Sequence, residues 1–297
     1  MPFEIHAHQQ SCYSSLTITF ILALLAFVYS RGWLRLRSAS QSLFPNSRLA
    51  AFASGLFAIW IAVGSPLTAL DHQLLTVHML KHLLLMTVGA PLILLGAPAL
   101  PLMCGLPKYF IRRSLPLRSR TPQLSRYLRN NYFFCWLAGT AAVIVWHFPR
   151  AFDLGMQSAS WHAIECASFL ASGILFWMPV IQSSPGDAGS PRWPIPLYLF
   201  LATLPCDALS AFLTFCGRVV YPNYLRMRPA FNISPLADQE FAGALMWVFV
   251  TFAYLVPAVA ATTKILSPSG IRPQWEPWSD VDDTDVQPLP SASAETI

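Results

Sequence analysis

Charge is what this sequence has least of: 11% of its 297 residues are Asp, Glu, Lys or Arg, against roughly a quarter in a soluble globular domain. A water-covered surface cannot be built from so few charged side chains. The six cysteines (Cys12, Cys104, Cys135, Cys166, Cys206 and Cys216) include no CxxC pair, so neither a zinc-finger spacing nor a disulfide framework is present. No Gly-rich phosphate loop and no internal repeat appear. The net charge of +5 comes from basic residues in short loops rather than from a basic, aromatic-lined surface, which argues against nucleic acid as a partner. No Lys or Arg precedes the apolar run that begins at Leu16, and no small-residue cleavage site follows it. That run reads as a retained span, not a signal peptide.

What is present is apolar, at 55% of the chain. Seven runs stand out, at 15–31, 49–65, 74–97, 132–148, 161–181, 194–216 and 239–262, each close to the length of about 20 residues that crosses a hydrocarbon core. The expected fold is all-α: a polytopic membrane protein of seven transmembrane helices in a lipid bilayer. Arg31, Arg35, Arg37 and Arg48 follow the first run, and Lys108, Arg112, Arg113, Arg118, Arg120, Arg126 and Arg129 follow the third. Positive loops stay in the cytoplasm, which puts the N-terminus outside and the C-terminus inside. Arg218, Arg226 and Arg228 lie in an outer loop and are outweighed. The chain then divides into an outer N-terminal segment (1–14), a seven-helix membrane domain (15–265) and a disordered cytoplasmic tail (266–297) carrying Asp280, Asp282, Asp283 and Asp285.

With that topology every histidine is outside. His78 and His82 open the third span, His147 closes the fourth, His162 opens the fifth, His72 precedes the third, and His6 and His8 lie in the N-terminal segment. A spacing of four puts His78 and His82 on one helix face within reach of one ion, with Met86 extending the stripe. His162, Glu165 and Cys166 share a face of the fifth span. Asp153 and Asp238 add carboxylates at a similar level. Imidazole suits copper, zinc and iron, and sulfur ligands favour Cu(I). A lone interfacial histidine usually makes a structural hydrogen bond, and Met86 and Met246 read first as gap-filling residues. Asp207, deep in the sixth span, is a costly carboxylate that acts as a relay or ligand-associated acid or is held protonated. Lys81 is expected to snorkel to the headgroups, and Trp146, Trp161, Trp177 and Trp247 fit an interfacial belt.

Three readings compete with metal handling of this kind. His82 and His147 at similar depth suit a bis-His haem. An intramembrane zinc protease would want HExxH, but the third-span segment HMLKH has Met79 where the glutamate belongs. A copper transporter would draw on Asp207.

The blocks TVHMLKHLLLM and APLILLGAP (76–98), WHFPRAFD (146–153), WHAIECASFLASGILFWMPV (161–180) and DQEFAGALMW (238–247) make the chain resemble, from about Leu49 to Ala260, the CtaG family of cytochrome c oxidase assembly factors. The resemblance implies a non-enzymatic seven-span protein of the bacterial inner membrane that handles copper for a haem-copper oxidase. Its partners would be oxidase subunits or other copper-handling assembly proteins. It carries over His78, His82, His147, His162, Glu165 and Asp238 as motif residues. The family pattern has a second histidine after the fifth-span glutamate, where this chain has Cys166, so the implied Cu(I) site mixes imidazole and sulfur. His72, Met86, Asp153, Asp207 and Met246 are the weaker candidates.

Overall fold

The computed structural model describes residues 2–107, 127–128, 130–182, 193–226 and 230–266, with side chains from Ser15 onward except those of Arg226, Ala230 and Lys264. The basic residues from Lys108 to Arg126, Arg129 and Arg228, and the acidic tail from residue 267, lie outside the described residues. The same holds for the side chains of His6 and His8. All regular structure among the described residues is helical: α1 (Pro2–Ala39), α2 (Asn46–Val63), α3 (Leu75–Leu83), α4 (Ala90–Leu95), α5 (Ala99–Gly105), α6 (Tyr132–His147), α7 (Pro149–Gln157), α8 (Ala159–Ile181), α9 (Pro194–Phe215), α10 (Asn223–Arg226) and α11 (Pro235–Leu266).

Six segments are long and apolar enough to cross a membrane: Ser15–Ala39, Asn46–Ala69, Leu75–Leu95, Ala159–Ile181, Pro194–Phe215 and Pro235–Thr263; α6 with α7 makes a seventh if the bent pair counts as one span. Each apolar run of the sequence falls on one of these. The fourth is not the straight run to residue 148 that hydropathy suggests. Phe148 precedes Pro149 and is extended (φ −70°, ψ 130°), because the proline ring disfavours helical backbone in the residue before it. The chain therefore turns by 77°, and α7 leaves the direction of α6 directly after His147.

The polarity of the bundle is that of a membrane protein. Phe20, Phe57, Phe133, Phe200, Phe241 and Phe252 face outward, while His78, Lys81, His82, His147 and Glu165 are buried. Lipid accepts the former, and only a protein interior accepts the latter. The third span holds its polar residues with a local irregularity. Between α3 and α4 the backbone forms a π-helical segment, Leu84–Gly89. In that i→i−5 pairing the carbonyl of Met86 would accept from residue 91, which is proline and has no N–H. The Trp177 indole Nε1–H donates to it instead, at 3.0 Å, so α8 satisfies the backbone group that α3 and α4 cannot. Gly173 of α8 permits this approach, since a Cβ there would come within 2.9 Å of the Met86 backbone. Trp177 is thus 3% exposed within the core, not in an interfacial belt.

Candidate metal centre

The site begins with how two helices start. No side chain of its own caps α3. Asp238 of α11 does so, its Oδ2 accepting from Leu75 N–H at 2.5 Å and its Oδ1 from Thr76 N–H at 3.2 Å and Thr76 Oγ1 at 2.7 Å. A carboxylate is well placed at the positive end of a helix. Ser158 starts α8, accepting from Trp161 N–H at 3.3 Å, and so fixes His162 and Glu165 in its first two turns. These starts bring His78 and His82 of α3 against Glu165 of α8.

His78 Nε2 lies 3.4 Å and His82 Nε2 3.5 Å from Glu165 Oε1. The three residues are buried, and one ligating atom from each falls within 4.8 Å of the others. Two ligands of one tetrahedral ion with bonds of about 2.0–2.1 Å are separated by roughly 3.3–3.4 Å, close to the 3.4 and 3.5 Å from each histidine to Glu165 Oε1. His78 Nε2, both ring nitrogens of His82, both Glu165 oxygens and His162 Nδ1 have no hydrogen-bond partner among the described residues. An unmet buried polar group costs about 1–3 kcal/mol, so His78 Nε2, Glu165 Oε1 and the one lone-pair nitrogen of His82 suit a cation. The rings are held by aromatics: Phe169 stacks on His82 with centroids 4.1 Å apart, and Phe152 meets His78 edge-on at 4.9 Å. Gly155 of α7 leaves room for Glu165, because a Cβ there would lie 2.6 Å from its Oε2.

Sequence reasoning missed Asp71, in the turn before α3. It is 1% exposed. Its Oδ1 accepts from His78 Nδ1–H at 2.7 Å, which turns the lone pair of Nε2 toward Glu165. Carboxylate orientation of a ligating imidazole is the usual support of a metal site. Its Oδ2 pairs with Lys81 and lies 3.0 Å from His162 Nε2, and its main-chain carbonyl accepts from Tyr224 OH at 3.0 Å. Burial works to raise the Asp71 carboxyl, but His78, His162 and Lys81 outweigh it and hold the group well below the usual carboxylate range. Burial, with Asp71 adding to it, pushes the Tyr224 phenol well up, so that hydroxyl stays a neutral donor.

Lys81 does not snorkel. It is 3% exposed, and its ammonium, which can only donate, pairs with Asp71 and reaches His162 Nε2 at 2.7 Å. That leaves the His162 N–H on Nδ1, facing Glu165 Oε2 at 3.2 Å, so in this arrangement His162 supports Glu165. The signal for Asp71 was Lys81 itself. It falls three residues after His78 on the same stripe, and a buried cation there requires a carboxylate.

The remaining candidates are dispersed. His147 donates from Nδ1 to Val143 O at 2.7 Å, with Nε2 3.2 Å from Met79 Sδ. Cys166 Sγ lies 3.8 Å from His162 Nε2. Asp238 spends both oxygens on the start of α3 rather than in the cluster, and Asp153 accepts from Asn223 Nδ2 at 2.8 Å. His72 is exposed, its ring 6.0 Å from that of His162. Asp207 is half-buried on α9, with Oδ1 unpartnered among the described residues. Met86 and Met246 line a cavity with His82 and His147.

Comparison with known proteins gives this geometry a context. The sequence model of the cytochrome c oxidase caa3 assembly factor family (Caa3_CtaG) matches residues 27–267. Uncharacterized proteins from Mycobacterium bovis and Mycobacterium tuberculosis are each 25% identical over 247 residues, which is 81% of this chain and 37% of theirs. The chain thus spans little more than a third of the length of these relatives. No solved structure matches it.

Proposed function

We propose that this chain, which belongs to the cytochrome c oxidase caa3 assembly factor family, is a non-catalytic assembly factor that holds copper at His78, His82 and Glu165 for a nascent haem-copper oxidase. Glu165 sets one carboxylate among imidazoles in a buried place where excess charge is costly, which favours a cation of low charge. Copper as Cu(I) meets both this and the imidazole content. The single observation that carries the reading is the convergence of buried, unpartnered imidazole and carboxylate atoms at the separations one ion imposes.

The oxidase subunit that receives copper lies on the outer side of a bacterial cytoplasmic membrane in this reading. Arg31, Arg35, Arg37 and Arg48 gather where α1 meets α2, at the far end of α2 from Asp71, and basic ends favour the cytoplasm. The cluster is then outer, with the N-terminus outside. Anaerobic Cu(I) titration with X-ray absorption, comparing the parent with a His78→Ala, His82→Ala variant, tests the site. Loss of a copper equivalent and of its imidazole scattering is expected. Unchanged stoichiometry in the variant would refute it.

A further inference from the structure

Below the cluster, toward the bundle centre, α3, α6, α8, α9, α11 and the π-helical segment line a cavity of about 20 Å³, room for about one water-sized particle. Met79, Met86, Met246, Cys206, His82 and His147 contribute to its wall. Three of the chain's eight methionines therefore reach one small void from three separate elements. Gap filling alone accounts for methionine in a helix bundle, but not for His147. Its Nδ1 faces the carbonyl of Val143 at 2.7 Å, and a carbonyl only accepts, so Nδ1 carries the hydrogen of the neutral ring. The lone pair of Nε2 then points at Met79 Sδ, 3.2 Å away. Two electron-pair donors press together with no proton between them, in a residue only 7% exposed. His82, 4% exposed, lines the same void, and its Nδ1 has no partner among the described residues.

We propose that this cavity is a second metal site, built of thioether sulfur with imidazole, for a soft monovalent cation of the Cu(I) or Ag(I) class. A cation between Met79 Sδ and His147 Nε2 turns a repulsive contact into two bonds. Thioethers select Cu(I) over divalent ions and bring no charge, so the ion would remain cationic, and only a small, weakly hydrated one suits so apolar a place. This deepens the copper reading by adding a sulfur-rich site next to the cluster. His82 lies between the two, and with its Nε2 facing Glu165 at 3.5 Å its single lone pair serves the cluster, which leaves His147 as the imidazole of the second site. The two sites differ in ligand chemistry, imidazole and carboxylate above, thioether below, and this difference separates them experimentally.

The test uses the full chain in detergent with selenium replacing methionine sulfur, titrated anaerobically with Cu(I) and read at the selenium and copper absorption edges. Copper scattering around selenium is expected in the parent, together with one copper equivalent beyond that of the cluster. Met79→Leu with Met246→Leu conserves volume and should remove that equivalent and the selenium signal while leaving the nitrogen and oxygen shell. His78→Ala with Glu165→Gln should do the reverse. Copper bound in the parent without scattering at selenium overturns the second site and leaves the cluster standing. A selenium signal unchanged by the double Leu substitution also overturns it, and a parent that binds no Cu(I) overturns both.

Discussion

Asp71→Asn is the most informative single change, because one side chain serves both the ion pair and the orientation of His78. The substitution keeps volume and an acceptor for His78 Nδ1–H, but removes the charge that faces Lys81 and lies 3.0 Å from His162 Nε2. Lys81 is 3% exposed, so its ammonium is left buried and unpaired, a defect that costs about 3–5 kcal/mol when one partner of a buried pair is deleted. Copper affinity should fall as well, by about tenfold to a hundredfold, the usual effect of removing an orienting group behind a ligand, with the retained acceptor favouring the lower figure. Adding Lys81→Met removes the stranded charge. Stability should then recover by most of the 3–5 kcal/mol, while affinity stays low because no carboxylate orients His78. Chemical denaturation in micelles reads the first quantity and competitive Cu(I) titration the second.

The same pair of proteins has a defined pH response. The Asp71 carboxyl is held below its unfolded value, which is about 3.9. Its stabilising contribution is therefore complete above that value and is lost only as pH falls through the lower folded pKa. The deficit of Asp71→Asn should be level from pH 5 to 8 and narrow only in stronger acid. A single Asp71→Asn variant as stable as the parent, or a double variant no more stable than the single, would refute the reasoning.

Two further substitutions separate structural roles from ligation. Asp238→Ala should destabilise by about 1–2 kcal/mol through the lost cap of α3, with copper stoichiometry unchanged in a metal titration; a lost equivalent would make Asp238 a ligand after all. Gly155→Ala places a Cβ 2.6 Å from Glu165 Oε2, so Cu(I) affinity should fall about tenfold or more, the scale of a displaced ligand, while helicity by circular dichroism is retained.

The helices were legible because membrane-crossing length and composition leave few alternatives, and all seven apolar runs recur in the structure. The His78 and His82 pair was legible for a similar reason, since spacing of four has one geometric meaning on a helix. What escaped was set by contacts that helical spacing does not encode, whether near in sequence, as between Asp71 and Lys81, or far, as between Asp238 and Leu75. Asp71 sits in a turn, where an acidic residue reads as solvated, and Lys81 looked interfacial until that carboxylate was found beside it. Asp238 looked like one more ligand because its level in the membrane was correct; only the direction of its oxygens, toward Leu75 and Thr76, gives it a different task. The π-helical segment has no periodic signature, although Pro91 five residues after Met86 marks the carbonyl that Trp177 must serve.

The cap that Asp238 places on α3 also has a meaning in time. The bond from Asp238 to Leu75 joins positions 163 residues apart, so the helix carrying His78 and His82 emerges from the ribosome long before its start is fixed. Glu165 comes later than those histidines, and α11 last of all. A nascent chain therefore carries His78, His82 and Glu165 before the contact that fixes the start of α3 has formed, and that contact arrives only with α11.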